Sequence, residues 1–165
     1  MVRWIVVSSF LATVLAASPA ASQIEVDRIV SRVSGRIITQ SDLRQARILK
    51  LVDDVSSEAA IRRGLETRLL ILHELDRAAA LPPAGADDLT AHRREWESSV
   101  GGEAVGADLL RQSGMAESDL ESWLRDDLRI RGYLRRQFGM LGDAERDRAV
   151  ADWTNRLRQR AGLSD

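Results

Sequence analysis

Apolar and polar residues alternate between Ile24 and Ile38, in a stretch rich in β-branched side chains. Alternation of this kind is typical of short strands, and Ser34-Gly35 interrupts it where a glycine can supply the positive φ of a tight turn. The pattern therefore predicts a β-hairpin. The next residues, Thr39-Gln40-Ser41-Asp42, place a hydroxyl three positions before a carboxylate, which is a capping-box variant and predicts the start of a helix.

From Asp42 onward apolar residues recur every three or four positions, which predicts helices to the end of the chain. Proline and glycine residues mark the breaks, and Gly114 is well placed as the left-handed residue that ends a helix. Because the fifth helix is apolar around much of its circumference, we expect it to contact neighbours on two sides. The fold class is mainly α, with a short N-terminal β-hairpin followed by about six helices in one domain. The predicted helices cover about residues 42–53, 57–80, 86–99, a short stretch ending at Gly114, 117–139 and 143–161.

The first 22 residues form a separate segment with the pattern of a signal peptide. Arg3 precedes an apolar run from Trp4 to Ala17, and Ala20-Ala21-Ser22 offers small residues for cleavage between Ser22 and Gln23. The sequence thus predicts a signal peptide at residues 1–22, a single domain at residues 23–165, export to the periplasm and no stable membrane span after cleavage. An uncleaved N-terminal anchor is the alternative, and it too places the domain outside the cytoplasm.

Composition narrows the classes of function. Arg3 is the only charged residue in the first 22, so the remaining 143 residues carry 23 basic and 25 acidic side chains, interleaved along the chain. This near-neutral balance argues against a nucleic-acid partner. The chain has no cysteine, which excludes disulfides, thiolate zinc sites and a cysteine nucleophile.

Candidate catalytic groups are sparse. His73 and His92 have no third ligand at metal spacing, so both are interpreted as helix-surface or core-edge histidines. Adjacent carboxylates on a helix point about 100° apart, so the acidic pairs are interpreted as solvated rather than catalytic. Phosphate loops, dinucleotide turns and serine-nucleophile motifs are absent from the sequence. We therefore predict a protein that is not an enzyme and has no cofactor or metal. The acidic pairs are Asp53-Asp54, Asp87-Asp88 and Asp126-Asp127.

Tryptophan and methionine side chains are the remaining candidates for function. They supply large, adaptable contact area for apolar peptide segments. The alternative is that they belong to the core, which is favoured for Trp123 and Trp153 and stays open for Trp96 and Met115. The candidate peptide-binding residues are Trp96, Met115, Trp123, Phe138 and Met140.

A family resemblance adds to this picture. The segment from Val26 to Leu43, which includes Val26-Asp27-Arg28-Ile29-Val30 and Ile37-Ile38-Thr39-Gln40-Ser41-Asp42-Leu43, resembles the opening of the SurA-like periplasmic chaperones. The later stretch from Gly114 to Ile130 looks like a helix of the same family, and the match extends over about Val26 to Phe138. The resemblance implies a SurA N-terminal-like, trigger-factor C-terminal-like helical domain.

Two departures from the family pattern matter. The family's N-terminal module is followed by parvulin-type prolyl-isomerase domains, whereas here residues 143–163 look like the family's closing C-terminal helix joined directly to the fifth helix. The resemblance therefore does not imply prolyl-isomerase activity for this chain. Ala116 stands where the family often has a capping Ser or Thr, so the fifth helix is expected to fray or to begin at Ser118.

The leading hypothesis is an extracytoplasmic, ATP-independent chaperone-like protein that binds unfolded or partly folded polypeptides, outer-membrane proteins among them. The alternative is a non-catalytic adaptor that docks one folded envelope partner. A groove rimmed by Trp96 and Met115 would favour peptide binding, and a flat apolar patch on the sixth helix would favour the adaptor.

Overall fold

The computed structural model describes residues 27–78 and 85–163. Within them the chain is mainly helical, and a two-stranded hairpin precedes six helices, which confirms the predicted fold class. The predicted signal peptide and its Ser22–Gln23 cleavage site lie outside the described residues. The elements are β1 (Ile29–Val33), β2 (Arg36–Thr39), α1 (Gln40–Ile48), α2 (Glu58–Arg77), α3 (Ala86–Val100), α4 (Glu103–Ser113), α5 (Glu117–Phe138) and α6 (Asp143–Arg160).

The hairpin leads directly into α1. Strands β1 and β2 are antiparallel, and the turn between them places Ser34 and Gly35 at φ values of 49° and 81°. Two consecutive left-handed residues are what a hairpin turn compatible with strand twist requires. Thr39 then caps α1: its Oγ1 accepts the Asp42 backbone N–H at 3.3 Å, and Asp42 Oδ2 accepts the Thr39 N–H at 2.7 Å. The predicted hairpin and capping box are both confirmed.

The predicted end of α1 is wrong. The helix stops at Ile48 rather than at Asp53, and Lys50 adopts a left-handed φ of 51°. Leu49 is fully buried, and its carbonyl accepts the indole N–H of Trp96 at 3.0 Å. Burial of Leu49 and its bond to a distant helix therefore end α1 earlier than the local pattern predicts.

The other helix ends mostly follow the local signals. Ser57 Oγ caps α2 by accepting the Ala60 N–H at 3.1 Å, and Gly114, at a φ of 69°, ends α4 as predicted. Helix α5 begins at Glu117 instead of shifting to Ser118, although Ala116 gives it no side-chain cap. Helix α2 ends at Arg77, where the prediction continued it to residue 80: Ala78 is already extended, and residues 79 and 80 lie outside the described residues.

Two hydrophobic clusters form the core, and α5 contributes to both. The first joins the hairpin, α1, α2, α5 and α6; Ile130 and Tyr133 are the buried α5 members. In the second, Leu120 and Leu124 from α5 pack with side chains of α3 and α4. The predicted two-sided contact of α5 is therefore confirmed. The second cluster consists of Leu49, Trp96, Val100, Leu110, Leu120 and Leu124.

Helix α6 packs against α2 and α5. Its Trp153 ring lies 5.6 Å from the ring of Tyr133 and 5.9 Å from that of Phe138, both on α5. Leu157 of α6 is buried in the first cluster. Among the described residues, no helix combines the length and the apolar character that crossing a bilayer demands.

Loss of the α1 cap should weaken the fold measurably. We expect Thr39→Ala to lower the free energy of unfolding by about 1 kcal/mol, because the N-terminal N–H groups of α1 lose their side-chain acceptor. Urea denaturation followed by circular dichroism measures the change. Thr90→Ala is the control, since the Thr90 hydroxyl bonds only to the Ala86 carbonyl on an exposed helix face. Equal stability of the two variants would contradict a capping role for Thr39.

Candidate functional site

A groove of about 290 Å³ opens where β2, α1, α2 and α5 meet. Apolar side chains form most of its wall, and we call it the hairpin groove. Its apolar lining consists of Ile37, Ile38, Ala46, Leu51, Leu65, Leu69, Leu72, Met115 and Trp123. Charged and polar side chains, namely Arg36, Asp42, Gln45, Arg68, Asp119 and Asp126, complete it.

Local structure explains how these side chains come to face one groove. Alternation along β2 buries Ile38 in the core and leaves Ile37 45% exposed at the groove. Leu69 and Leu72 are three positions apart on α2 and therefore share a helix face. Met115 enters from the other side, because the left-handed Gly114 turns the chain between α4 and α5.

The groove brings together two of the five predicted peptide-binding residues, Met115 and Trp123. Trp123 is half-buried and also packs against the first hydrophobic cluster, so it is both core and groove wall. Trp96 is not part of the groove: it is 7% exposed, and its indole N–H is bonded to the Leu49 carbonyl. The core interpretation therefore holds for Trp96, and the groove rimmed by Trp96 and Met115 that would have favoured peptide binding does not form.

The other two candidates lie at the junction between α5 and α6. Phe138 is half-buried against Trp153, and Met140 is 99% exposed beyond the end of α5. Neither lines the hairpin groove. The five candidate residues therefore do not form one surface in this structure.

Arg68 stacks on Trp123 in the groove wall and links the groove to a network of charges. Its guanidinium carbon is 3.7 Å from the centre of the Trp123 ring, and Nη2 donates to the Trp123 carbonyl at 2.7 Å. Nη1 donates to Asp127 Oδ1 at 2.5 Å. Burial lowers the pKa of Arg68 and the Asp127 carboxylate opposes that shift, so the ion pair offsets the loss of solvent around the guanidinium.

His92 extends this network to α3. It is 5% exposed, and its ring nitrogens lie 2.9 Å from Glu95 Oε2 and 3.2 Å from Asp127 Oδ2. Arg131 reaches the same two carboxylates, at 2.9 Å and 3.6 Å. Both ring nitrogens of this buried histidine are therefore engaged by carboxylates, one on its own helix and one on α5.

The histidine and carboxylate predictions have mixed outcomes. His92 is a core-edge histidine and His73 is exposed, as interpreted from the sequence. The solvated reading of Asp126-Asp127 is wrong, because Asp127 pairs with Arg68 and Asp126 with Arg129 at 2.9 Å. Helical spacing could have signalled part of this network, namely Asp127 with Arg131, Asp126 with Arg129 and His92 with Glu95. It could not have signalled the contacts of Asp127 with Arg68 and His92, which lie on other helices. Asp53-Asp54 and Asp87-Asp88 are exposed, as predicted.

A second, wider groove of about 1120 Å³ runs between α2, α5 and α6. Its wall includes the buried ion pair of Glu66 with Arg158, whose atoms Oε2 and Nη1 are 3.2 Å apart. Ser31 of β1 donates to the other oxygen of Glu66 at 2.7 Å. These contacts tie the hairpin, α2 and α6 together.

No protein-family model, curated protein or solved structure matches this chain. In residues 27–78 and 85–163, no group of three histidine, cysteine or acidic side chains could hold a metal ion. The hairpin groove has an apolar wall, a charged rim and two of the predicted peptide-binding residues, and it is the site on which a function is proposed.

Removal of the Asp127 charge should destabilise the fold strongly. Asp127→Asn leaves the Arg68 guanidinium buried without its anionic partner, and we expect a loss of about 3 kcal/mol in the free energy of unfolding. Urea denaturation measures it. Asp126→Asn is the matched control, because its pair with Arg129 is partly exposed and is expected to contribute at most about 1 kcal/mol. Similar losses of unfolding free energy in both variants would show that Asp127 contributes no more to stability than Asp126.

Glu95 should make stability depend on pH. Its pKa lies below the ordinary value, chiefly because of the hydrogen bond with His92 and then that with Arg131. A carboxyl with a lowered folded-state pKa stabilises the fold above its unfolded pKa and loses that effect as pH falls through the folded pKa. We expect Glu95→Gln to be less stable than the wild type at neutral pH, and the difference to shrink as the medium becomes more acidic than the ordinary glutamate pKa.

Denaturant midpoints measured from about pH 7 to about pH 3 test this pH dependence. Glu121→Gln is the control, since Glu121 is exposed and pairs with Arg125, which lies on α5 as Glu121 does. A wild-type-to-variant difference that stays constant over this range would show that Glu95 acts through something other than its charge.

Proposed function

We propose that this chain is an extracytoplasmic, ATP-independent chaperone-like protein that binds unfolded or partly folded polypeptides in the hairpin groove, with outer-membrane proteins in transit through the periplasm as clients. The observation that carries the proposal is the groove itself: Met115 and Trp123 form an apolar wall beside the half-exposed Ile37. Unfolded chains expose apolar side chains that such a wall can bury.

The chemistry of the groove suits promiscuous binding. Methionine and tryptophan give large contact area without strict geometry, so different apolar side chains can occupy the same space. A volume of about 290 Å³ accommodates a few side chains rather than a folded surface. Binding is therefore expected to be weak for each contact, while the charged rim keeps a complex soluble.

The compartment in this proposal is supported by the sequence. Residues 1–22 have the pattern of a signal peptide, and the stretch from Val26 to Leu43 resembles the opening of SurA-like chaperones. The second part of that stretch forms β2 and the start of α1, which contribute to the groove. Under this proposal the resembling segment is thus also part of the binding site.

The adaptor alternative has less support. It calls for a flat apolar patch on α6, but the exposed positions of α6 in the described part of the chain are charged, polar or alanine. The larger exposed apolar side chains lie on the hairpin, on α4 and at Met140. A groove rimmed by Trp96 and Met115 does not form either, so the peptide-binding proposal rests on the hairpin groove, which Met115, Trp123 and the half-exposed Ile37 line.

Aggregation of a client tests the proposed function. A denatured outer-membrane protein is diluted into buffer with or without residues 23–165, and light scattering follows its aggregation. We expect an equimolar or excess amount of the protein to suppress scattering without ATP. Unchanged scattering would contradict the chaperone proposal, and recovery of a single stoichiometric folded partner from envelope extract would favour the adaptor.

Charge placed in the groove should reduce that activity. We expect Ile37→Lys and Met115→Lys each to weaken binding of an unfolded client about three- to tenfold, because an ammonium group replaces apolar surface that the client would bury. Fluorescence anisotropy of a labelled client peptide measures the affinity. Val105→Lys is the matched control: Val105 is 42% exposed, close to the exposure of Ile37, and does not line the groove. Equal weakening by all three variants would mean that the groove is not the binding site.

A further inference from the structure

Arg68 has an unusual place between the hairpin groove and the buried charges. Its side chain is only 10% exposed, and it lines both the hairpin groove and the wider groove beside α6. It is therefore part of the wall that separates the two. A long, flexible side chain in such a place needs several partners to hold one orientation.

Three contacts fix that orientation. The guanidinium lies over the Trp123 ring at 3.7 Å, within the range of a cation–π contact. One terminal nitrogen donates to the Trp123 carbonyl and the other to Asp127. Trp123 and Asp127 are four positions apart on α5, so they share a helix face, and Arg68 contacts both from α2.

Asp127 is itself held from α3. His92 Nε2 lies 3.2 Å from Asp127 Oδ2, while Oδ1 is the atom that receives Arg68. The two oxygens of one carboxylate therefore serve two different helices. A chain of direct contacts runs from His92 through Asp127 and Arg68 to the tryptophan of the groove.

We propose that Arg68 is a positioning residue for the hairpin groove: it holds the Trp123 indole as the groove wall, and the His92–Asp127 contact holds Arg68 in place. This inference rests on the proposed function for its effect on peptide binding. Lysine cannot replace arginine here, because it lacks the planar group that stacks on an indole and the fork that reaches two acceptors.

The spectroscopic test uses Arg68→Lys in residues 23–165, which contain Trp96, Trp123 and Trp153. Each indole N–H gives its own signal in a proton–nitrogen correlation spectrum. We expect the Trp123 signal to shift and that of Trp96 to stay, because the Trp96 indole is bonded to Leu49 in the other cluster. Arg125→Lys, an exposed α5 arginine paired with Glu121, is the control and should shift none of them.

The binding test uses a fluorescein-labelled peptide of alternating aromatic and polar residues. We expect Arg68→Lys to weaken its binding about three- to tenfold in the wild-type background, a change of about 0.7 to 1.4 kcal/mol. If Arg68 acts through the indole, the same substitution should have little further effect in a Trp123→Phe background. Full additivity of the two substitutions would overturn the positioning role.

The two tests separate this inference from the proposed function. The indole spectrum is recorded without peptide, so a selective shift of the Trp123 signal supports the Arg68 contact whether or not the wild type binds peptide. Failure of the wild type to bind the peptide would overturn the proposed function. If the Trp123 signal does not move, or if all three signals shift equally, the positioning role of Arg68 is overturned. The proposed function is unaffected by that result as long as the wild type binds the peptide.

Discussion

Helix α5 is buried on two sides, and both hydrophobic clusters are built along it. Leu120 and Leu124 enter one cluster near its start, and Ile130 and Tyr133 enter the other towards its end. Between these contacts α5 still has to place Asp127 close to α2 and α3. Because the buried Arg68 guanidinium is costly without a partner, packing of α2 against α5 depends on Asp127 reaching it, and His92 contacts the other oxygen of that carboxylate from α3.

The same constraint shapes the groove. A two-stranded hairpin is at best marginally stable alone, so its position depends on what it packs against. Val33 and Ile38 bury one face in the first cluster, and Ser31 bonds to Glu66, which is also paired with Arg158 of α6. The hairpin is thus fixed from α2 and α6, which leaves Ile37 exposed at the groove.

The groove combines rigid support with adaptable walls. Trp123 is backed by Arg68, whereas Met115 stands between two helices with a flexible side chain. A tryptophan ring held in one orientation beside a flexible methionine side chain can bind apolar segments of varied shape. This combination is what connects the packing of α5 to the proposed binding of unfolded chains, while export and the SurA-like resemblance stay predictions from the sequence.

The sequence by itself determined the features that depend on neighbours along the chain. The turn at Ser34-Gly35, the cap formed by Thr39 with Asp42 and the helix end at Gly114 each need only local geometry, and each was predicted. The two-sided burial of α5 followed from the width of its apolar face. Helical periodicity predicts that a side chain is buried, but it does not predict which other helix or strand that side chain packs against.

Only the tertiary structure decided the rest. Trp96 became part of the second cluster, whereas Met115 packs against that cluster and also lines the groove. Packing of Leu49 ended α1 early, against the local pattern. Arg68 and Asp127 are 59 positions apart, and no sequence spacing encodes a pair that forms only when two helices pack. The long-range contacts therefore determined which predicted residues form a site.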